Sequence, residues 1–179
     1  MGVEVLIRVA EPGDLDLMAQ GLGRTHQTFF AGRLPLQKEG LGEILLAFRG
    51  HLPVGAVFIS WDQADEPEVR RHLAEVPMIF HLHVAPEHRH RGVGRTLLRH
   101  AEQRLRRRGH ARVLLGVDKS NQVARRLYEW LGYVQPHEPE LSDLGATAEP
   151  GQPEHSVGEA YDILVADLDR PAPHWPEPG

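Results

Sequence analysis

The chain has 179 residues, of which 41% are hydrophobic and 25% are charged, a balance ordinary for one globular domain with its own core. It contains no cysteine, which excludes a cysteine nucleophile, a thiolate metal site and a disulfide framework. The net charge of -5 conceals an asymmetry, because arginines concentrate between residues 88 and 112 while acids dominate after Tyr133. We expect one part of the surface to attract anions and another to attract cations.

Hydrophobic patterning in the first half predicts paired strands and short helices. No segment resembles a signal peptide or a membrane span, so we expect a cytoplasmic protein without a membrane partner. The predicted elements, in chain order, are a strand over Val3–Val9, a helix over Pro12–Leu22, a weaker helix or structured loop over Thr25–Leu34, a hairpin of Glu43–Arg49 and Val54–Trp61, and a polar loop over Asp62–Glu75.

In the second half strands alternate with helices, which predicts an α/β fold with a mixed sheet and helices on both faces. The predicted elements are a strand over Met78–Val84, a helix over Gly92–Arg108, a strand over Ala111–Val117, a helix between a Ser120 or Asn121 cap and Gly132, a strand starting at Tyr133, a long loop over Pro136–Gly158 and a strand over Tyr161–Leu168. In the helix before Gly132, Val123, Leu127 and Leu131 form the predicted buried stripe. We expect residues 1–169 to form a single domain and residues 170–179 a proline-rich tail.

The most informative segment runs from His81 to Leu98, where a strand ends, a basic loop follows and a helix begins. Such a turn directs backbone N–H groups and the positive end of the helix dipole into one space. Gly92 and Gly94 leave that space open, and Arg89, Arg91 and Arg95 add charge. The pattern predicts a pyrophosphate site. It lacks both the third glycine of a Rossmann fingerprint and the Gly-Lys-Ser/Thr of a Walker loop.

Two segments carry a resemblance to a known family. Arg89-His90-Arg91-Gly92-Val93-Gly94 resembles the acetyl-CoA loop of GNAT N-acetyltransferases, Arg/Gln-x-x-Gly-x-Gly/Ala. Asn121 to Tyr133 resembles that family's Asn-x-x-Ala-x-x-Leu-Tyr-x-x-x-Gly-Phe/Tyr segment, with every specified position matched. The resemblance implies a twisted mixed sheet of about six to seven strands, in which the fourth and fifth strands splay apart to admit coenzyme A.

The resemblance also implies acetyl-CoA as co-substrate and a set of residues that hold it. The end of the fourth strand would bond the pantetheine amides, the loop and helix start would bond the pyrophosphate, and Tyr128 would lie near the sulfur. The cofactor-binding residues implied are Leu82, His83, Val84, Arg89, His90, Arg91, Gly92, Val93, Gly94, Arg95, Asn121, Ala124 and Tyr128.

Acetyl transfer from a thioester to an amine needs stabilisation of an oxyanion and protonation of a departing thiolate. Backbone N–H groups can do the first, and a phenol with a pKa near 10 can do the second. Tyr128 is therefore the predicted general acid. The alternative is that Tyr128 is a packing residue, because it lies one helical turn after Ala124 beside the predicted apolar stripe.

The predicted general base is His83 or His81. Some family members, including those that acetylate protein N-termini, carry a glutamate five residues before the motif asparagine, and that position here is Gly116. A ribosomal-protein-type acceptor is therefore less expected. His81 and His83 alternate with Phe80, Leu82 and Val84, so we expect both imidazoles on the face opposite this apolar trio. Two alternatives remain open: hydrogen-bonded core histidines, or a chain of waters that serves as the base.

The histidines also admit a metal interpretation. His81, His83, His88 and His90 could be drawn as a zinc cluster. His88 and His90 lie in the predicted phosphate loop, however, and the only carboxylate between His81 and His90 is that of Glu87. We therefore expect no metal.

The sequence predicts transfer of acetyl from acetyl-CoA to the primary amine of a small molecule, a lysine or an N-terminus. Acidic loops favour a cationic acceptor, although they are equally compatible with ordinary surface charge. The expected walls of the acceptor site are Arg24–Leu34 with His26, Phe29 and Phe30, then Trp61 and Asp62, then Pro136–Gly158.

The rival functions are a catalytically silent acyl-CoA-binding regulator and an arginine-rich nucleic-acid-binding module. Net acidity and few aromatics oppose the nucleic-acid module, and edge strands would allow a homodimer.

Overall fold

The computed structural model describes residues 4–61, 76–136 and 161–171. Six strands form one sheet in the order β1 to β6, with every neighbouring pair antiparallel except β4 and β5, which are parallel. The strands are β1 (Leu6–Val9), β2 (Gly42–Arg49), β3 (Leu52–Ser60), β4 (Met78–Val84), β5 (Arg112–Asp118) and β6 (Tyr161–Asp167). The α-helices are α1 (Leu15–Leu22), α2 (Arg24–Ala31), α3 (Leu34–Lys38), α4 (Val93–Arg107) and α5 (Gln122–Trp130).

The predicted mixed sheet with helices on both faces is confirmed. Along β2, Ile44, Leu46 and Phe48 pack toward α1 and α2, whereas Leu45 and Ala47 pack toward α4 and α5. This two-sided burial follows from the alternation of side chains along a strand. We call the first side the α2 face and the second the α4 face. Within the described ranges, no helix combines the length and the apolar character needed to cross a membrane.

Two predicted elements differ in extent from what the structure contains. The segment after Thr25 forms two helices, and α3 begins beside Pro35, which suits the first turn of a helix. The strand predicted at Tyr133 is reduced to a single bridge between Val134 and Val165. The predicted loop at 62–75, residues 137–160 of the second loop and the tail from residue 172 lie outside the described residues.

The fourth and fifth strands separate soon after they meet. β4 pairs with β5 only at Met78 with Leu114 and at Ile79 with Leu115. From Phe80 onward β4 is paired only with β3, while β5 continues to pair with β6 as far as Asp118. The resemblance implied such a gap, and it opens beside the carboxyl ends of both strands.

A β-bulge lies in β4 at the start of this gap. Phe58 pairs with Phe80 and Ala56 with His83, so His81 and Leu82 together face Val57 alone. His81 adopts the left-handed region, with a φ of 54°. The extra residue reverses the alternation, and Phe80 therefore packs on the α2 face while Leu82 and Val84 pack on the α4 face. The prediction that Phe80 shares a face with Leu82 and Val84 is wrong for this reason.

The buried side of α5 also differs from the prediction. Val123, placed in the buried stripe by its spacing, is 72% exposed. Tyr128 and Leu131 are buried, and Ala124 and Leu127 pack beside them against the core. The helix thus buries the face that carries Ala124 and Tyr128, so that the phenol takes the place that an aliphatic stripe would otherwise fill.

Candidate active site

The loop between β4 and α4 turns sharply at two residues with positive φ. His90 has a φ of 60° and Gly92 a φ of 82°. Gly92 precedes the first residue of α4, and glycine is the residue that occupies this left-handed conformation with least strain. Before the turn, the N–H groups of His88 and Arg89 donate to the carbonyls of Ala85 and Pro86 and close a short 3₁₀ helix.

After that short helix, a run of backbone donors lacks backbone acceptors. Among the described residues, no backbone acceptor is paired with the N–H groups of residues 90 to 94, and the ladder of α4 begins with Thr96 donating to Gly92. The first N–H groups of any helix are in this position and carry partial positive charge. A turn followed by a helix start is a common binding site for phosphate oxygens.

The start of α4 packs against the end of β4. A Cβ atom at Gly94 would lie 3.4 Å from Val84 Cγ2 and 3.8 Å from Leu82 Cδ2. Gly55 on β3 permits the close packing of this helix, because a Cβ there would lie 2.9 Å from Leu97 Cδ1 and 3.2 Å from the carbonyl oxygen of His83. The donor-rich helix start is therefore fixed beside the gap between β4 and β5.

The three arginines predicted at this loop differ in their exposure and in their contacts. Arg89 is exposed, and its Nε donates to the Val84 carbonyl at 3.0 Å, which ties the loop to the end of β4. Arg91 is exposed on the turn, and Arg95 is partly buried in the first turn of α4. All three guanidinium groups belong to the segment that carries the donor run, as the sequence predicts.

Asn121 begins α5, as the sequence predicts for one of two candidate caps. Its Oδ1 accepts a hydrogen bond from the Ala124 N–H at 3.1 Å, and the side chain is exposed. The side-chain carbonyl oxygen of Asn121 is thus occupied by the helix cap. Among the described residues its amide nitrogen makes no hydrogen bond, so its two donors remain available to a ligand.

Tyr128 is buried on the α4 face, with 5% of its surface exposed. Its ring makes an edge contact with Tyr133, with centroids 6.2 Å apart. Burial raises the pKa of the Tyr128 phenol well above its usual value. The hydroxyl therefore keeps its proton throughout the neutral range.

Three imidazoles meet on the α2 face. His26 Nδ1 lies 2.8 Å from His81 Nε2, and the rings of His26 and His83 stack with centroids 3.4 Å apart. His81 also stacks on Phe29 at 4.1 Å. We call His26, His81 and His83 the imidazole cluster. His81 and His83 were predicted to share a face, but no local pattern could place His26 beside them from 55 residues away.

His83 is the member of the cluster with an unsatisfied nitrogen. Its Nε2 is buried and has no hydrogen-bond partner in the described part of the chain. Desolvation by burial, together with His26, His81 and Arg89, lowers the pKa of His83 from 6.5 to about 3. His83 is therefore a neutral hydrogen-bonding group and a weak proton acceptor.

The predicted acid and the predicted bases lie on opposite faces of the sheet. Tyr128 belongs to the core of the α4 face, whereas His81 contacts Phe29 and Phe30 of the α2 face. The gap between β4 and β5 connects the two faces at this point. A thioester that enters from the α4 side can thus meet an amine that enters from the α2 side.

The imidazole cluster does not have the arrangement of a metal site. The rings of His26 and His83 are stacked face to face, and His26 makes a direct nitrogen–nitrogen contact with His81. Within residues 4–61, 76–136 and 161–171, no group of three His, Asp or Glu side chains could hold an ion.

Comparison with known proteins decides the family. The model of the acetyltransferase (GNAT) family matches residues 24–133, which include the bulged strand, the donor-rich loop and α5. The chain belongs to the GNAT family. The GNAT match begins at α2, so it covers the helix that supplies His26 as well as the two segments that carried the resemblance.

Solved structures agree on the GNAT fold. The ribosomal-protein-S18-alanine N-acetyltransferase of Escherichia coli superposes with a TM-score of 0.63 at 19% identity, covering 96% of this chain and 99% of that one. PaiA N-acetyltransferase of Thermoplasma acidophilum, solved in complex with coenzyme A, gives a TM-score of 0.62 at 17% identity over 92% and 99% of the two chains. At these identities the likeness extends to the fold alone.

A relative found by sequence is also an N-acetyltransferase, and its match covers a shorter segment. The [ribosomal protein bS18]-alanine N-acetyltransferase of E. coli strain K12 is 42% identical over 55 residues. That match spans 31% of this chain and 37% of the relative, so it covers little more than a third of that enzyme.

Proposed function

We propose that this GNAT protein is an acetyl-CoA-dependent N-acetyltransferase that acts on a primary amine. The observation that supports this most directly is the run of backbone donors from residue 90 to residue 94, which pair with no backbone acceptor in the described part of the chain and lie beside the gap between β4 and β5. A helix start of this kind suits a diphosphate. Family membership supports the same activity.

The residues at the loop fit coenzyme A. Gly92 leaves open space above the donors, since a Cβ there would have only the Arg95 guanidinium within 4 Å among the described residues, and Gly94 lets the helix start pack closely against Val84 and Leu82. Residues 90 to 95 with Arg89 would hold the pyrophosphate, and the unpaired edge of β4 from Leu82 to Val84 would bond the pantetheine amides. Asn121 would use its free amide donors, and Ala124 would line the arm. Acetyl-CoA, when bound, supplies an acetyl group activated as a thioester.

The roles of the side chains follow from their protonation. Tyr128 would donate its proton to the departing sulfur, because its buried phenol is neutral. His83 would accept a hydrogen bond from the amine at Nε2, the buried nitrogen that has no partner among the described residues. His81 would then take the amine proton, because the low pKa of His83 makes that ring a poor recipient.

Two acceptor classes follow from different observations. The bS18-alanine acetyltransferase relative favours an N-terminal amine, whereas Gly116 stands where the resemblance implies a glutamate in enzymes of that kind. The acidic composition after Tyr133 favours a small cationic amine. We propose the small amine first, because the amine-side groups in the described structure are imidazoles on the α2 face and the position of Gly116 on β5 carries no carboxylate.

The rival functions have less support. Several arginines of α4, on which a nucleic-acid-binding module would depend, are engaged within the fold. Arg104 Nη2 donates to Glu43 Oε1 at 2.8 Å, Arg106 Nε donates to the Leu168 carbonyl at 2.7 Å, and Arg108 lies over the Trp61 ring. A silent acyl-CoA-binding regulator would share the cofactor site, so only turnover separates it from an enzyme.

The domain boundary, the location and the partners of the protein are proposals as well. We take residues 1–169 as one domain, a cytoplasmic location and no membrane or nucleic-acid partner as working assumptions. A homodimer through the exposed edge of β1 would be compatible with the sheet order, in which β1 has one neighbour.

The test is binding followed by turnover. Acetyl-CoA at about 100 times its Kd should stabilise the protein by about 2.7 kcal/mol. Thiol release should then follow with at least one member of a panel containing a polyamine, a lysine peptide and an alanine-terminated peptide. Stabilisation without thiol release from any amine would favour the silent regulator. No stabilisation, with salt-sensitive binding to random DNA, would favour the nucleic-acid module.

A further inference from the structure

We propose that His26 of α2 is a positioning residue for amine activation, which holds His81 through the Nδ1–Nε2 hydrogen bond and His83 through ring stacking. This inference rests on the proposed function, since it concerns how the same site receives its amine. His26 lies outside both motifs that carried the resemblance.

The hydrogen bond determines how protons are placed on His81. In the neutral pair, one of the two facing nitrogens carries the hydrogen and the other accepts it across 2.8 Å. When His81 Nε2 is the donor, His81 Nδ1 holds the lone pair that can accept a proton. His26 therefore couples the tautomer of His81 to its own, and His81 can accept an amine proton at Nδ1 only when His26 Nδ1 is the acceptor of this hydrogen bond.

The stacking contact determines where His83 points. The rings of His26 and His83 lie 3.4 Å apart at an interplanar angle of 15°, so the imidazole of His83 cannot turn freely about its side-chain bonds. This holds Nε2, for which residues 4–61, 76–136 and 161–171 provide no hydrogen-bond partner, in one direction. One side chain on α2 thus controls both histidines of β4.

The bulged residue of β4 takes part in this arrangement. His81, with its φ of 54°, is the extra residue, and its ring meets His26 and Phe29 while the ring of His83 also reaches His26. The rings of His81 and His83 themselves lie 6.3 Å apart. The charged groups near the cluster are Arg89, which faces His83, and Arg33, whose guanidinium lies 4.5 Å from the Phe29 ring.

Two substitutions separate the two contacts. His26→Asn keeps a hydrogen-bonding atom near the position of Nδ1 but loses the stacked ring, whereas His26→Phe keeps the stacked ring but loses the hydrogen bond. The primary readout is the ¹⁵N chemical shifts of His81, which report its tautomer without any substrate. We expect His26→Phe to change the His81 tautomer and His26→Asn to preserve it.

The kinetic readout uses the best amine of the panel. We expect His26→Phe to lower kcat/KM for the amine by about tenfold or more and to move the pH at which kcat/KM falls, with the Kd of acetyl-CoA unchanged. His26→Asn should recover most of the rate with the wild-type pH dependence. His51→Phe and His51→Asn, in the exposed turn between β2 and β3, are matched controls.

Two outcomes would overturn the proposal. An unchanged His81 tautomer in His26→Phe would do so whether or not any amine is acetylated. A wild-type pH profile and rate in His26→Phe, with turnover intact, would do so even if the tautomer changed. If only the proposed function fails, His26→Phe will still change the His81 tautomer as expected, but the wild-type protein will acetylate no amine.

Discussion

Replacing Tyr128 with Phe should lower kcat by about 10²–10⁴, the range that a positioned general acid contributes. The buried phenol is protonated at neutral pH, and because burial raises its pKa it gives up the proton only as negative charge develops on the departing sulfur. Phe fills nearly the same space in the core of the α4 face. The Kd of acetyl-CoA should therefore change little, and steady-state thiol release with a matched binding titration will test this.

Tyr133→Phe is the matched control for this experiment. Tyr133 is also a fully buried tyrosine of the same core, but its hydroxyl donates to Glu102 Oε1 at 2.7 Å. Its removal should reduce stability and leave kcat within a few fold. Wild-type turnover in Tyr128→Phe would remove the assigned acid, and an equal loss of kcat in both variants would indicate a packing effect.

Replacing Glu102 with Leu should produce a large loss of stability. Glu102 is a buried carboxylate on α4 that accepts hydrogen bonds from Tyr133 Oη and Arg170 Nη2, both at 2.7 Å, and from Arg106 Nη2 at 3.1 Å. Breaking a buried ion pair by removing one partner costs about 3–5 kcal/mol, because it leaves the other charge uncompensated. Urea unfolding will measure the change in the free energy of unfolding.

The reason for so large a loss is the position of Arg170. Its guanidinium lies over the Tyr133 ring at 4.9 Å, and its Nε donates to the Leu131 carbonyl at 2.9 Å. Glu102 therefore joins α4, the end of α5 and the segment after β6. Glu102→Gln, which retains an acceptor oxygen, should lose less stability than Glu102→Leu. Equal stability of Glu102→Leu and wild type would show that this network contributes little.

The sequence could predict the parts of the fold that depend on short-range pattern. Helical spacing gave α4 to within one residue at each end, and the two motifs located the loop and the start of α5. The donor run from residue 90 to residue 94 follows from the glycines and the helix start alone. These features are local, so neighbouring residues contain the information.

Features that depend on distant contacts could not be predicted in this way. The bulge at His81 arises from the register between β3 and β4, and strict alternation therefore misplaced Phe80. His26 meets His81 only because α2 packs across the sheet. Arg170, predicted to begin a tail, instead binds the buried carboxylate of Glu102, which lies 68 residues away in sequence.

The most direct test is a titration of the ¹⁵N-labelled protein with coenzyme A, followed by backbone amide resonances. The account predicts large shifts at residues 90 to 94, whose N–H groups would gain the diphosphate oxygens as acceptors. Pantetheine, which lacks the diphosphate, should leave these resonances in place and shift only those near Leu82 to Val84. Binding of coenzyme A with no change at residues 90 to 94 would contradict the account.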